Sequence, residues 1–151
     1  MSAGTGIRHS EHNLEAGTTR IFQIWILPNQ TGKGLAWGTK PFPKGDRSHK
    51  FVALASGFAD DEDALPTRAD ARVLGATLKA GESMEYNQGD GRYDYLVPAS
   101  DSVEISGVTI ETRDGAAIRD EPVIRVTALE DAELVLVGAA RPRGPPCSSK
   151  S

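Results

Sequence analysis

Downstream of Ala71 the chain never sustains a helical period. Short runs such as "ARVLGATLK", "RYDYLVPAS", "SVEIS", "VTIET", "VIRVTAL" and "LVLVGA" follow one another with turn residues between them. Strand residues alternate between two faces, so such runs read as strands. The Ser106-Gly107 pair between two alternating runs predicts a tight hairpin. Many short strands at this spacing predict an all-β sandwich or small barrel, with the jelly roll among the candidates. Upstream, "RIFQIWIL" is apolar on both faces, which predicts a strand in a barrel or sandwich interior, ended by Pro28 and Asn29. The segment "NQTGKGLAWGTKPFPKGDRSHK" is rich in Gly, Pro and Lys and reads as a surface connector pinned by Trp37 and Phe42.

Composition narrows the function classes. With 38% hydrophobic and 25% charged residues in 151, the chain can bury a core, and disorder throughout is not expected. A net charge of −4 without a basic cluster argues against direct nucleic-acid contact. The single cysteine, Cys147, rules out an internal disulfide framework and fits a reducing, cytoplasmic setting. No apolar run reaches membrane-spanning length, and the amino terminus has no signal-peptide apolar region. The Pro- and Ser-rich end, "RPRGPPCSSKS", is expected to be a disordered tail over 141–151.

The residues that carry chemistry are near the amino terminus. In "MSAGTGIRHSEHN", His9 and Glu11 are two apart and on an extended segment face the same way, so both side chains can converge on one ion. Imidazole with carboxylate suits iron, manganese or a similar transition metal that keeps positions open for oxygen or substrate. His-x-Glu is also a common surface pattern, and spacing alone does not distinguish the two. His12 falls on the opposite face, and His49 stands in a basic loop and reads as solvated. Gly4 to Gly6 reads as a tight turn rather than a phosphate loop, because no strand precedes it and no helix follows. Asp60-Asp61-Glu62-Asp63 lacks the alternate spacing of a calcium loop and reads as a solvated turn. Trp25 and Trp37 read as packing residues, and Cys147 has no motif around it.

"MSAGTGIRHSEHN" followed closely by "FQIWILP" resembles the pirin family of bicupins, whose bacterial members include quercetin 2,3-dioxygenases. The resemblance continues through "ASGFADDEDALPTRADARV" and "VEISGVTIETRDGAAIRDE", covers roughly residues 1–139, and stops at the tail. It implies a cupin fold in which residues 1–48 supply the final strands of a truncated amino-terminal cupin and a connector. Residues 49–140 then form the carboxy-terminal cupin. It also implies an iron site, Fe(II) or another divalent transition metal, held in the first cupin by three histidines and one glutamate. His9 and Glu11 match the third histidine and the glutamate, with Glu11 placed to accept a proton from a flavonol hydroxyl. The family's upstream His-x-His pair has no counterpart here, and no histidine follows His49, as expected for a second cupin without metal ligands. The expectations are therefore weak or absent metal and no activity in this chain alone, with a completing half-barrel or a second copy as partner and a flavonol as the small molecule. The alternative is a non-catalytic cupin with a binding or regulatory role.

Overall fold

A computed structural model describes residues 1–141. Ten strands follow in chain order: β1 (Val52–Ser56), β2 (Leu65–Pro66), β3 (Ala71–Leu78), β4 (Ser83–Asn87), β5 (Arg92–Ser100), β6 (Val103–Ile105), β7 (Val108–Ile110), β8 (Ala116–Arg119), β9 (Val123–Ala128) and β10 (Ala132–Ala140). They form a six-stranded sheet in the order β2-β1-β3-β10-β5-β8 and a four-stranded sheet in the order β4-β9-β6-β7. Every pairing is antiparallel except the short one between β1 and β2. The all-β sandwich that the sequence predicts is what residues 52–140 adopt.

The two sheets meet through period-two alternation. On β10, Ala132, Leu134 and Leu136 are buried, while the residues between them are only partly covered. Leu74 and Leu78 on β3, Leu96 on β5, Val103 on β6, and Ile124 and Val126 on β9 complete the interior. Side chains of this size each contribute about 1.5–3 kcal/mol when removed from water, and this interior holds the sheets face to face. The hairpin at Ser106-Gly107 forms as the sequence predicts. Both residues have positive φ, 50° and 81°, and Ile105 pairs Val108 across the turn. That is the backbone twist a two-residue hairpin needs.

Residues 1–48 contain no strand of two or more paired residues; there are isolated bridges from Ser2 to Ala36 and from Ser48 to Thr77, and a 3₁₀ turn over Lys44–Arg47. The strand expected over "RIFQIWIL" is not formed. Ile21 and Phe22 are exposed, Trp25 is 85% and Leu27 92% exposed, and no neighbouring segment offers that backbone a ladder of hydrogen bonds. Apolar periodicity marks a strand only when a partner is present to pair with it. Of the two expected anchors, Trp37 is 80% exposed and does not pin the connector, whereas Phe42 is partly buried. Arg47 anchors its end: it is buried and donates to Glu133 at 2.8 Å, Lys44 reaches the same carboxylate at 2.8 Å, and the His49 amide donates to the Thr77 carbonyl. The two cations hold the Glu133 carboxyl below its usual range against the opposing effect of burial.

The tail expected over 141–151, with Cys147, lies outside the described residues from 142 onward. Arg141 itself is docked, pairing with Asp120 at 2.7 Å and lying 5.1 Å from the centre of the Tyr93 ring.

Candidate functional site

Gly4 and Gly6 make the turn that leads into the His9 segment. Gly4 has φ +59° and Gly6 φ +141°, and the Gly6 amide donates to the Ala3 carbonyl at 2.9 Å. A Cβ on Gly4 would stand 2.9 Å from the Lys33 carbonyl oxygen, so the turn sits tightly beside residues 33–35. The chain then continues to Leu14 without regular secondary structure. His9 Nε2 and Glu11 Oε1 are 3.6 Å apart, with His9 about one-third and Glu11 about half exposed. His12 does not join them; its Nε2 lies 3.2 Å from the Ser10 hydroxyl. His49 is far along the chain and faces Glu82, Nδ1 to Oε2 3.5 Å.

A separation of 3.6 Å suits two donors sharing one ion at bonds of roughly 2.1 Å with an angle near about 120° between them. The chemistry of the pair therefore fits part of a transition-metal shell. It is not a full shell: among the described residues, no group of three or more His, Cys, Asp or Glu side chains is placed to hold a metal ion.

The carboxy-terminal sandwich carries a second polar constellation that residue spacing did not single out. Asp61, read from sequence as one of four solvated acids, is partly buried. It accepts from the Ser56 hydroxyl at 2.5 Å and from Arg72 Nε at 2.6 Å, and these two donors hold its carboxyl below the usual range. Arg72 lies 4.2 Å and Arg92 5.2 Å from the centre of the Phe58 ring, and Arg92 pairs with Asp70 at 2.8 Å. Asp94 is 3% exposed, and neither of its carboxylate oxygens has a hydrogen-bond partner. Burial pushes its carboxyl up to about 6 against the pull of Arg92; Gln88 is close enough to lower it as well, but its Nε2 donates to the Arg92 and Ile118 carbonyls rather than to the carboxylate. Burial also raises the Tyr86 phenol, with the Asp94 charge adding to the effect.

The signal for Asp94 was present in "RYDYLVPAS". Asp94 shares the inward phase of Leu96 and Pro98, while Tyr93, Tyr95 and Val97 take the other. An acid on the inward phase of a strand is a buried acid.

Comparison with known proteins places this architecture. Residues 53–138 match the model of the quercetinase C-terminal cupin domain. The chain belongs to the pirin family. It is 69% identical over 140 residues to a pirin-like protein of Caulobacter vibrioides, an alignment covering 93% of this chain and 60% of the relative. It is 33% identical over 138 residues to the quercetin 2,3-dioxygenase of Escherichia coli, covering 90% of this chain and 58% of that enzyme. The chain thus spans about 60% of the length of these curated relatives. In fold it is similar to the crystal structure of YhhW from Escherichia coli, with a TM-score of 0.71 and 24% identity, covering 80% of this chain and 50% of that one. A second structure of YhhW, a bacterial pirin, is a complex with nickel(II). No helix among the described residues is long and apolar enough to cross a membrane.

Proposed function

We propose that this chain is the carboxy-terminal portion of a metal-dependent dioxygenase of the quercetin 2,3-dioxygenase type, and that His9 and Glu11 are its share of the metal site. The observation that supports this reading is the 3.6 Å approach of His9 to Glu11 in a chain of this family. The ion, Fe(II) or another divalent transition metal, would supply Lewis acidity and a place for oxygen or substrate to bind. His9 contributes a neutral imidazole and must lose its proton to do so. Glu11 contributes a carboxylate that can also take the proton of a flavonol hydroxyl, the step that turns a phenol into an electron-rich phenolate. Two donors are too few to hold an ion in competition with water. The remaining ligands come from a His-x-His segment outside these 151 residues.

The isolated chain should therefore bind Fe(II) or Ni(II) weakly, with no stoichiometric metal after desalting and no oxygen uptake with quercetin. Supplying an upstream half-barrel that carries His-x-His should restore both. In that restored protein His9→Ala and Glu11→Ala should each lower metal affinity at least about tenfold and abolish turnover. Tightly held, stoichiometric metal in the 151-residue chain, with turnover that survives His9→Ala, would refute this assignment.

The same reading accounts for the exposed apolar segment. Trp25, Leu27, Ile21 and Phe22 are solvent-facing over a run with strand-like alternation, and they suit a missing half-barrel or, in its absence, a second copy of the chain. The isolated protein should bind a hydrophobic dye and sediment as a concentration-dependent mixture. A single monomeric species over a hundredfold range of concentration, without dye binding, would contradict this.

A further inference from the structure

The four-stranded sheet ends in two edges, β4 and β7, and the six-stranded sheet in two more, β2 and β8. At five residues β4 is the longest of these; β2, β7 and β8 have two, three and four. Short edges protect a sheet from stray pairing, so β4 is the least protected. Its backbone alternates between β9 and the outside. The Glu82 carbonyl accepts from the Ala128 amide at 2.9 Å and the Gln88 amide donates to Pro122 at 3.2 Å, so the even-numbered residues bond toward β9. Ser83, Glu85 and Asn87 therefore turn their N–H and C=O groups away from the sheet. Among the described residues, no main-chain group pairs with them on that side.

What lies beside this edge sets it apart from the other three. An open cleft of about 840 Å³ runs along it, and all five residues of β4 line one wall. Phe51, Ala53 and Leu74 from the six-stranded side line the other. The floor of the cleft is apolar: Met84 and Tyr86 take the inward phase of β4, and the Tyr86 and Phe51 rings meet edge to face at 5.4 Å. Its rim is charged, and most of that charge is paired. Arg72 holds Asp61 at 2.6 Å, Arg125 holds Glu85 at 2.5 Å, and His49 faces Glu82 at 3.5 Å. The paired rim leaves the main chain of the edge and the apolar floor to recognise a partner.

Three outward N–H and C=O pairs beside an apolar floor select an extended peptide that adds a strand and drops alternate side chains into the cleft. The chain carries such a peptide. Residues 20–27, "RIFQIWIL", have strand alternation and no pairing partner, and Trp25 and Leu27 on one phase are 85% and 92% exposed. The segment does not occupy the cleft of its own chain, and the Asn29 amide just beyond it is tied to the Arg68 carbonyl at 2.9 Å. We propose that β4 is the docking edge for residues 20–27 of a second copy of this chain. The incoming segment adds a fifth strand to the four-stranded sheet and seats Trp25 and Leu27 against Met84, Tyr86 and Phe51. The exchange is reciprocal: each copy gives one segment and receives one, which closes a two-fold dimer through two equal contacts. The Gly-rich connector over 28–43 supplies the reach. This inference rests on the reading of residues 20–27 as an unpaired strand and not on the metal assignment of His9 and Glu11.

A proline at position 85 tests the edge. The Glu85 amide points away from β9, so Glu85→Pro spares the β4–β9 ladder while it removes one edge donor and sets a ring against an incoming strand. Glu85→Ala loses the same ion pair with Arg125 but keeps the donor, and is the control. Sedimentation of the 151-residue chain should show a monomer–dimer equilibrium. Glu85→Ala should leave its dissociation constant within about threefold, and Glu85→Pro should raise it at least about tenfold. Trp25→Ala, in a segment outside the sandwich, should raise it about thirtyfold or more. In a Trp37→Phe background, the Trp25 emission should move to shorter wavelength as the dimer forms. Trp25→Ala and Glu85→Pro chains should form a heterodimer when mixed at concentrations where each alone is monomeric, because the intact segment of one meets the intact edge of the other. Urea unfolding checks that each variant folds, and Asn87→Pro, at the next outward position, repeats the test if Glu85→Pro does not. Dimerisation that both prolines leave unchanged overturns the docking edge and leaves the exposed segment as the contact. A mixture that stays monomeric overturns the pairing of segment with edge. A chain that is monomeric at every concentration overturns this inference and the exposed-segment reading together, and leaves the metal assignment standing.

Discussion

Replacing Gly57 by alanine should destabilise the sandwich by about 3 kcal/mol or more, as overpacking against rigid backbone does. Gly57 follows β1 and donates its amide to the Ala71 carbonyl at 3.0 Å, which ties the end of β1 to the start of β3. A Cβ at this position would stand 1.8 Å from the Ala69 carbonyl oxygen and 2.9 Å from its carbon. Both atoms are main chain, so no rotamer change relieves the clash. Nor can the backbone yield easily: Ala69 and Ala71 are buried, and Asp70 is held by Arg92 at 2.8 Å. The displacement would also reach Ser56 and its bond to Asp61, loosening the polar end of the interior. Gly115→Ala is the control. Its Cβ would come within 1.9 Å of the Tyr95 hydroxyl, but that is the far end of a side chain that is 49% exposed and free to turn aside, so a cost under about 1 kcal/mol is expected. Urea unfolding of the three proteins compares them directly. A Gly57→Ala variant within 1 kcal/mol of the parent would show that the Ala69 segment is far more pliable than its contacts imply.

The contrast between Gly57 and the hairpin glycine shows where sequence reading reaches its limit. Gly107 follows Ser106 between two alternating runs, and that local pattern predicts its turn without knowledge of the rest of the chain. The crowding of Gly57 depends on Ala69, brought close by the crossover from β1 through β2 to β3, and no local pattern encodes it. The same distinction runs through the fold. The strands from Ala71 onward are legible because each carries its own alternation and turn residues. "RIFQIWIL" carries the alternation as well, yet stays unpaired, because a strand exists only with a partner and these residues have none.

The candidate site divides in the same way. His9 and Glu11 are two residues apart, so their 3.6 Å approach needs no long-range packing. Asp61 and Arg72 are eleven apart and meet only through the packing of β1 on β3, which is why Asp61 reads as a solvated acid in one dimension. Asp94 lies between these cases. Its inward phase beside Leu96 was visible in the sequence, but its lack of a partner follows from Arg72 and Arg92 being committed to other carboxylates.

That lack of a partner gives Asp94 a large influence on stability between pH 4 and pH 8. Burial raises its carboxyl from 3.8 to about 6 in the folded protein, whereas in the unfolded chain it titrates near its ordinary value. Between those two values the folded state holds a proton that the unfolded state has released, so stability falls as the pH rises. The full penalty is reached above about pH 6. The rise from 3.8 to about 6 makes it about 3 kcal/mol, and relaxation of the buried site lowers that toward about 2. Asp61 and Glu133 act with the opposite sign. Their folded carboxyls are depressed by Arg72 and Ser56 and by Lys44 and Arg47, so their contribution is complete above the ordinary carboxylate range and is lost as the pH falls through it. Stability of the parent should therefore peak within the ordinary carboxylate range, at about pH 4–4.5, and decline on both sides. Asp94→Asn removes one limb of that profile, because the amide keeps the shape of the protonated acid and cannot ionise. The variant should match the parent near pH 4 and exceed it by about 2–3 kcal/mol at pH 8. Denaturant unfolding of both proteins at half-unit steps measures the difference, and parallel curves from pH 4 to 8 would show that Asp94 is solvated or paired in solution.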